Sequence, residues 1–480
     1  MEADRVALLR RPAIELAQLV REGQITSREL VEAALSQIDA RRDLNAFTYV
    51  DADSALAAAD AIVPGDPRPF AGVPTAIKEL CPAAGQPLTM GSDIFGDYRS
   101  RYDAYVVRRL RDAGFVLVGR TNSPEFGIVP VTEPRRFGAT RNPWDTGRTP
   151  GGSSGGAAVA VSAGMLPVAH GTDGGGSLRI PAACCGLVGL KPSRGRISAG
   201  PDLGDNFLST NGALTRSVAD AAHLLDVMAG YEVGDPTWAP PPPEPFAVAA
   251  ARPPRRLRIA FTTHSPLDTP VDPVCTSAAQ DAAALLVSLG HEVEETTPPV
   301  WHVPELQADF TALWSASVAA GVRTGARASV RAITQADVEP LTWMFYLQGT
   351  TLSAADLLGT IARLQAYSRR LIAFFSTYDI LLTPALAQRP LPVGAIDTSA
   401  ADPAAEFQKA AVFTPFTPIF NVTGQPAVTL PLYAGADGLP LAVQLVAPPL
   451  GEGLLLALAA ELEAARPWAA RLPPPPPAAG

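Results

Sequence analysis

The chain has 480 residues, 47% hydrophobic and 18% charged, which supplies apolar surface for a large core and excludes disorder over most of its length. Its formal net charge of -9 argues against a duplex nucleic-acid binder, which needs basic surface to neutralise phosphates. The four cysteines, Cys81, Cys184, Cys185 and Cys275, form no C-x-x-C pair, so neither a zinc site nor a disulfide framework is expected, and no apolar run is long enough to span a bilayer.

The N-terminal residues lack the basic and apolar regions of a signal peptide, so a cytoplasmic location is expected. Residues 13–40 carry helical periodicity, and Thr26-Ser-Arg-Glu29 fits a capping box, which predicts two amphipathic helices joined at Glu22-Gly23. A third helix is expected over Ser54–Ala61. Next, Ala71–Lys78 reads as a buried strand ending in a cation. Only three lysines are present, Lys78, Lys191 and Lys409, among 38 basic residues. Where a bare surface cation suffices, arginine serves; a position that needs an amine able to lose its proton must keep lysine. Scarcity therefore moves Lys78 toward function.

A helix over Tyr105–Ala113 and a strand over Phe115–Gly119 set an α/β rhythm. Thr121–Arg148 reads as loop, with Phe126 and Ile128 as candidate wall residues. The run Gly151-Gly-Ser-Ser-Gly-Gly156 is expected to be a tight, exposed turn, because each glycine loses much backbone freedom on ordering. Leu166–Ala169 reads as a short strand, and Gly171-Thr-Asp-Gly-Gly-Gly-Ser177 as a second loop. Further on, Ser217–Ala229 reads as helix and Gly234–Pro254 as a polyproline-like connector that could divide domains. Strands over Leu257–Phe261 and from His291 to Glu295 flank a helix over Pro273–Leu289. Residues 304–376 are mostly helical in pattern, followed by strands at Ile380–Pro384, Ala427–Leu430 and Leu441–Val446, an Asp437-Gly438 turn, and a helix over Gly453–Ala465.

The two glycine-rich loops suit nucleophilic catalysis better than phosphate binding. A P-loop requires Lys-Ser/Thr after its last glycine, whereas Ala157-Ala158 follows Gly155-Gly156, and neither loop has dinucleotide-fingerprint spacing. A serine nucleophile needs a base and a set of N–H donors for the oxyanion, and Ser177 follows three glycines free of obstructing side chains. His170 and a neutral, buried Lys78 are both candidates for the base.

Gly151–Gly156 together with Gly171-Thr-Asp-Gly-Gly-Gly-Ser-Leu-Arg-Ile-Pro-Ala182 resembles the signature of the amidase signature family, hydrolases of amide bonds. The resemblance extends to Gly119–Gly127, Cys185–Pro192 and Asn421–Pro426, and covers nearly the whole chain. It implies an α/β fold with a large, mixed, twisted central sheet covered by helices on both faces. It implies one domain over residues 1–472, with N-terminal helices over 1–65, a catalytic core over about 66–235 and a portion over about 255–470 completing sheet and pocket; the low-complexity tail over 473–480 is expected to be disordered from its composition.

The same resemblance implies a Ser–cis-Ser–Lys triad in which Ser177 is the nucleophile, Ser153 the bridging serine and Lys78 the base. The amides of Gly174, Gly175 and Gly176 form the oxyanion hole, and Phe126, Gly127 and Ile128 are candidate substrate contacts. Gly174 departs from the threonine that the family often carries, which leaves its N–H available. No metal or organic cofactor is implied. Beside these roles, Asp173 and Arg179 read as a structural ion pair, His170 as a satisfied core histidine, and Cys184 and Cys185 as small core residues.

The expected activity is cleavage of a linear or cyclic carboxylic amide through an acyl-enzyme, on a small-molecule substrate, with no nucleic-acid or membrane partner; a homodimer is compatible. Gly138–Trp144 and Val168–Ser198 are similar to bacterial aminohexanoate cyclic-dimer hydrolases, which points to an ω-amino-acid amide or an oligoamide. The alternatives are the amidase subunit of a tRNA-dependent amidotransferase and a catalytically silent binding protein on the same scaffold.

Overall fold

Alternation of buried residues along short strands is what builds the centre of this molecule. In the computed structural model, which describes residues 7–204, 206–330 and 332–474, eleven strands form two sheets. The smaller contains β1 (Phe47–Val50), β2 (Pro74–Lys78) and β3 (Val116–Thr121) in the order β1-β3-β2. The larger contains β4 (Ala169–Asp173), β5 (Val188–Lys191), β6 (Thr210–Thr215), β7 (Arg258–Phe261), β8 (Glu292–Glu295), β9 (Ile380–Pro384), β10 (Ala427–Ala434) and β11 (Pro440–Val446). Their order is β4-β6-β5-β10-β11-β9-β7-β8, antiparallel from β4 to β9 and parallel from β9 to β8, so the sheet is mixed.

Successive strand residues point to opposite faces. Ile259, Phe261, Ile380, Leu382, Val428 and Leu430 join one core with the helices Val218–Met228, Pro273–Ser288 and Glu452–Ala465. The intervening Ala260, Leu381, Ala427 and Val446 join another with Leu364, Leu371 and Phe420. Helices therefore cover both faces. The small sheet is tied to the edge of the large one by Thr75 Oγ1, which donates to the Val168 carbonyl (3.1 Å), and by the Lys78 N–H, which donates to His170 Nδ1 (3.4 Å). No described helix is long and apolar enough to cross a membrane.

Local signals placed most elements within a few residues. The capping box at Thr26 forms as expected, ahead of the helix Ser27–Ala40, and β9 has its expected bounds. The Gly151–Gly156 run does not. It is buried throughout, and Gly155 opens the helix Gly155–Ser162. Close approach explains this: a Cβ on Gly152 would stand 2.5 Å from the Val131 carbonyl oxygen, and one on Gly156 would stand 2.4 Å from the Asn122 nitrogen. These glycines are selected for contact, and the exposed turn is corrected to a buried one.

The strand expected over Leu166–Ala169 lies instead at Ala169–Asp173, so the first three residues of the supposed second loop belong to β4. β5, β6 and the helix Arg179–Cys185 were not legible; β6, Thr-Asn-Gly-Ala-Leu-Thr, has weak local propensity and exists because β4 and β5 pair with it. The Gly234–Pro254 connector holds the short helix Phe246–Ala250. Of the tail expected over 473–480, residues 475–480 lie outside the described residues.

Candidate active site

Three segments distant in sequence bring one amine and two hydroxyls into a line. Lys78 ends β2 with no exposure, and its Nζ donates to Ser153 Oγ (2.7 Å) and Thr172 Oγ1 (2.9 Å). Ser153 follows a cis Gly152–Ser153 peptide, and its Oγ donates to Ser177 Oγ (2.9 Å). Ser177 is 7% exposed, at the floor of a cavity. The candidates Lys78, Ser153 and Ser177 are thus brought together. Thr172, the second partner of the amine, was not singled out in the sequence, although it lies within the Gly171–Ser177 motif.

Burial penalises the charged form of Lys78 and lowers its pKa to about 7; the nearby Asp173 carboxylate opposes this. The amine is consequently neutral for a large part of the time near neutral pH. An unprotonated amine and a hydroxyl each donate and accept, so protons can run along the Lys78–Ser153–Ser177 line in either direction. His170, the other candidate base, is fully buried, its Nε2–H donates to Asn211 Oδ1 (3.1 Å), and desolvation pushes its pKa down to about 3. It is a neutral packing group beneath Lys78.

The loop after β4 wraps around Asp173. This carboxylate accepts from the amides of Gly176 (2.9 Å) and Leu178 (3.2 Å), from Arg179 Nε (3.0 Å) and from Asn421 Nδ2 (2.9 Å). Burial raises the Asp173 pKa, but Arg179 outweighs that and holds it at about 2. The expected Asp173–Arg179 pair is therefore present, fully buried, with Arg179 also donating to the Thr417 carbonyl, Gln444 Oε1 and Asn421 Oδ1. One expectation changes. The Gly176 N–H is taken by Asp173, which removes it from the set of oxyanion donors. Among the described residues the amides of Gly174, Gly175 and Ser177 have no such partner.

Ser177, Gly152 and Gly175 face a cavity walled by Ile128, Trp314, Phe310 and Ile419, among others, and none of its described lining residues carries a charge. Gly127 and Ile128 line it as expected. Phe126 does not. Its ring packs in a satellite cluster against Phe95, centroids 6.1 Å apart, because a backbone with φ 51 turns it away from the wall. Cys184 and Cys185 are buried free thiols outside the lining, both with pKa raised by desolvation. The stacked pair Phe310–Trp314 (5.3 Å, 21°) comes from the helix Pro304–Ser329, whose aromatic spacing alone carried no site signal.

Comparison with known proteins places this geometry in context. The Amidase family model matches residues 29–456. A 6-aminohexanoate-cyclic-dimer hydrolase of Paenarthrobacter ureafaciens is 38% identical over 478 residues, 95% of this chain and 95% of the relative. Putative amidase AmiB2 of Mycobacterium tuberculosis is 42% identical over 468 residues, 95% of this chain and 96% of the relative. Among solved structures, a 6-aminohexanoate cyclic dimer hydrolase complexed with substrate matches with a TM-score of 0.93 at 37% identity, covering 97% of this chain and 99% of that one.

Proposed function

The chain belongs to the amidase family, and from that premise we propose that Ser177 is the nucleophile of a carboxylic amide hydrolase whose base is Lys78, acting through Ser153. The observation that carries this is the unbroken hydrogen-bonded line from Lys78 Nζ through Ser153 Oγ to Ser177 Oγ. As Ser177 Oγ bonds to the amide carbon, its proton passes to Ser153, and the Ser153 proton passes to neutral Lys78. The carbonyl π pair moves onto oxygen, where the N–H groups of Gly174, Gly175 and Ser177 hold the charge at roughly 3 kcal/mol for a well-placed donor. Collapse breaks the C–N bond, and the leaving nitrogen takes its proton from Lys78 through Ser153. Water repeats the sequence on the ester and releases the acid.

The uncharged cavity supports a substrate class of neutral amides, including cyclic and end-blocked oligoamides such as the one named for the cyclic-dimer hydrolase. A free ammonium or carboxylate buried there without a partner would pay a desolvation penalty. Glutamine brings both, which disfavours the amidotransferase alternative. The free thiols of all four cysteines support a cytoplasmic location, since thiols persist in reducing compartments; fractionation of the native host tests it.

The experiment for the whole reading is turnover of a neutral cyclic oligoamide and of its linear, zwitterionic counterpart by purified parent and Ser177→Ala. Hydrolysis of the cyclic amide is expected, reduced by roughly 1,000-fold or more in the variant. Parental activity in Ser177→Ala would refute the assignment.

A further inference from the structure

We propose that Thr417 is a positioning residue for the oxyanion amides, clamping from the C-terminal portion of the chain the one peptide plane that sets their direction. The inference rests on the assignment of Ser177 and its neighbouring amides made above.

The plane in question joins Gly175 and Gly176. At one end the Gly175 carbonyl accepts from Thr417 Oγ1 (2.7 Å), and at the other the Gly176 N–H donates to Asp173 Oδ1 (2.9 Å). The Gly176 end is buried and the Gly175 end partly so, and Thr417 has no exposure. A flip of this plane would break both bonds at once, leaving the part-buried Gly175 carbonyl without this donor and the buried Asp173 carboxylate with one fewer, which is costly. With the plane held, the amides on either side, Gly175 N–H and Ser177 N–H, are left without an internal partner among the described residues, as is Gly174 N–H before them.

Glycine sequence alone does not hold the loop. Gly176 has φ +130, a region that side chains avoid, and a Cβ there would stand 2.3 Å from Thr417 Oγ1. The absence of a side chain at 176 thus creates the space that the Thr417 hydroxyl fills. Arg179 fixes Thr417 in turn: its guanidinium donates to the Thr417 carbonyl (2.9 Å) while pairing with Asp173 (2.9 Å). Carboxylate, guanidinium and hydroxyl form one closed support around the Gly175–Gly176 plane. Among the described residues no hydrogen bond joins Thr417 to Ser153 or Lys78; its hydroxyl reaches the loop at the Gly175 carbonyl.

Thr417→Val keeps the shape and removes the donor; Thr417→Ser keeps the donor and removes a methyl. On one neutral anilide, Thr417→Val is expected to lose about 30-fold or more in kcat with KM within about 3-fold, because the oxyanion exists only beyond the ground state. Thr417→Ser is expected to stay within about 3-fold of the parent in both, on the same reasoning. Parental kcat in Thr417→Val, or equal losses in the two variants, would overturn the proposal. Should Thr417→Val fail to fold, Thr417→Ala replaces it in the comparison; failure of both, with Thr417→Ser folded, would assign the hydroxyl to stability and also overturn it. Ser177→Ala is run alongside: activity there would undo the nucleophile assignment, whereas an inactive Ser177→Ala beside an unimpaired Thr417→Val would undo only the clamp.

Discussion

Two of the three lysines share one electrostatic property and differ in what they face. Lys78 and Lys191 are both buried, and desolvation brings each to about 7. Lys78 Nζ meets a serine hydroxyl, while Lys191 Nζ donates to the Pro192 carbonyl (2.9 Å). Lys409, by contrast, is exposed and paired with Glu406 (2.7 Å). With neutral Lys78 as the proposed base, activity should rise with pH and level off above a midpoint near 7, the protonated form dominating below it. A pH profile of kcat/KM checks this. Lys191→Met should retain the acid limb, since the group that titrates in it is Lys78. Lys78→Arg should abolish turnover at every pH below 10, roughly, because a guanidinium does not give up its proton. The scarcity of lysine by itself does not tell Lys78 from Lys191; the family resemblance points to Lys78, and the partner atoms in the structure differ accordingly.

Elements, in turn, depend on glycines for two different reasons. In the first loop the requirement is steric, as the contacts of Gly152 with Val131 and of Gly156 with Asn122 show. In the second it is steric at Gly176, where a Cβ would meet Thr417, but positional before it: a Cβ on Gly175 would approach only Phe310, at 3.7 Å, and one on Gly174 would meet the indole of Trp314 at 3.3 Å. Gly156→Ala should therefore destabilise the protein by about 1–3 kcal/mol through overpacking against backbone, whereas Gly175→Ala should leave the unfolding midpoint close to that of the parent. Thermal unfolding of the two variants measures the contrast. Nearly equal midpoints would mean that the first loop can yield. The departure at Gly174 belongs to this scale too: its missing side chain is the space against which Trp314 packs, so the aromatic wall and the glycine go together.

At the scale of the molecule, the chain returns repeatedly to one sheet. β10, from residues 427–434, lies between β5 and β11, so the strands before the Gly234–Pro254 connector (β4, β6 and β5) and those after it are joined into one continuous sheet by the β5–β10 pair. On this basis the proline-rich stretch is a surface connector, and the one-domain reading of residues 1–472 becomes a prediction about fragments. Residues 1–235 expressed alone should show no cooperative unfolding transition, because β5 would lose its β10 partner and expose the buried Leu190 and Val188. Circular dichroism during heating checks it; a cooperative transition would mean that the N-terminal half folds by itself.

What the sequence determined by itself was local. Period and caps drew the helices, the two glycine loops pointed to Ser177 as a nucleophile with Lys78 or His170 as its base, and the family resemblance added Ser153 and the choice of Lys78. Tertiary structure decided everything that depends on contact across the chain. The Gly176 amide turned to Asp173, Phe126 left the wall for a satellite cluster, and Thr417, Asn421 and Gln444 reached the loop around Asp173 and Arg179 from more than 230 residues away. A hydrogen bond is set by distance and direction in space, and sequence separation carries almost none of that information, so β6 and the oxyanion support became legible only once the sheet had closed around them.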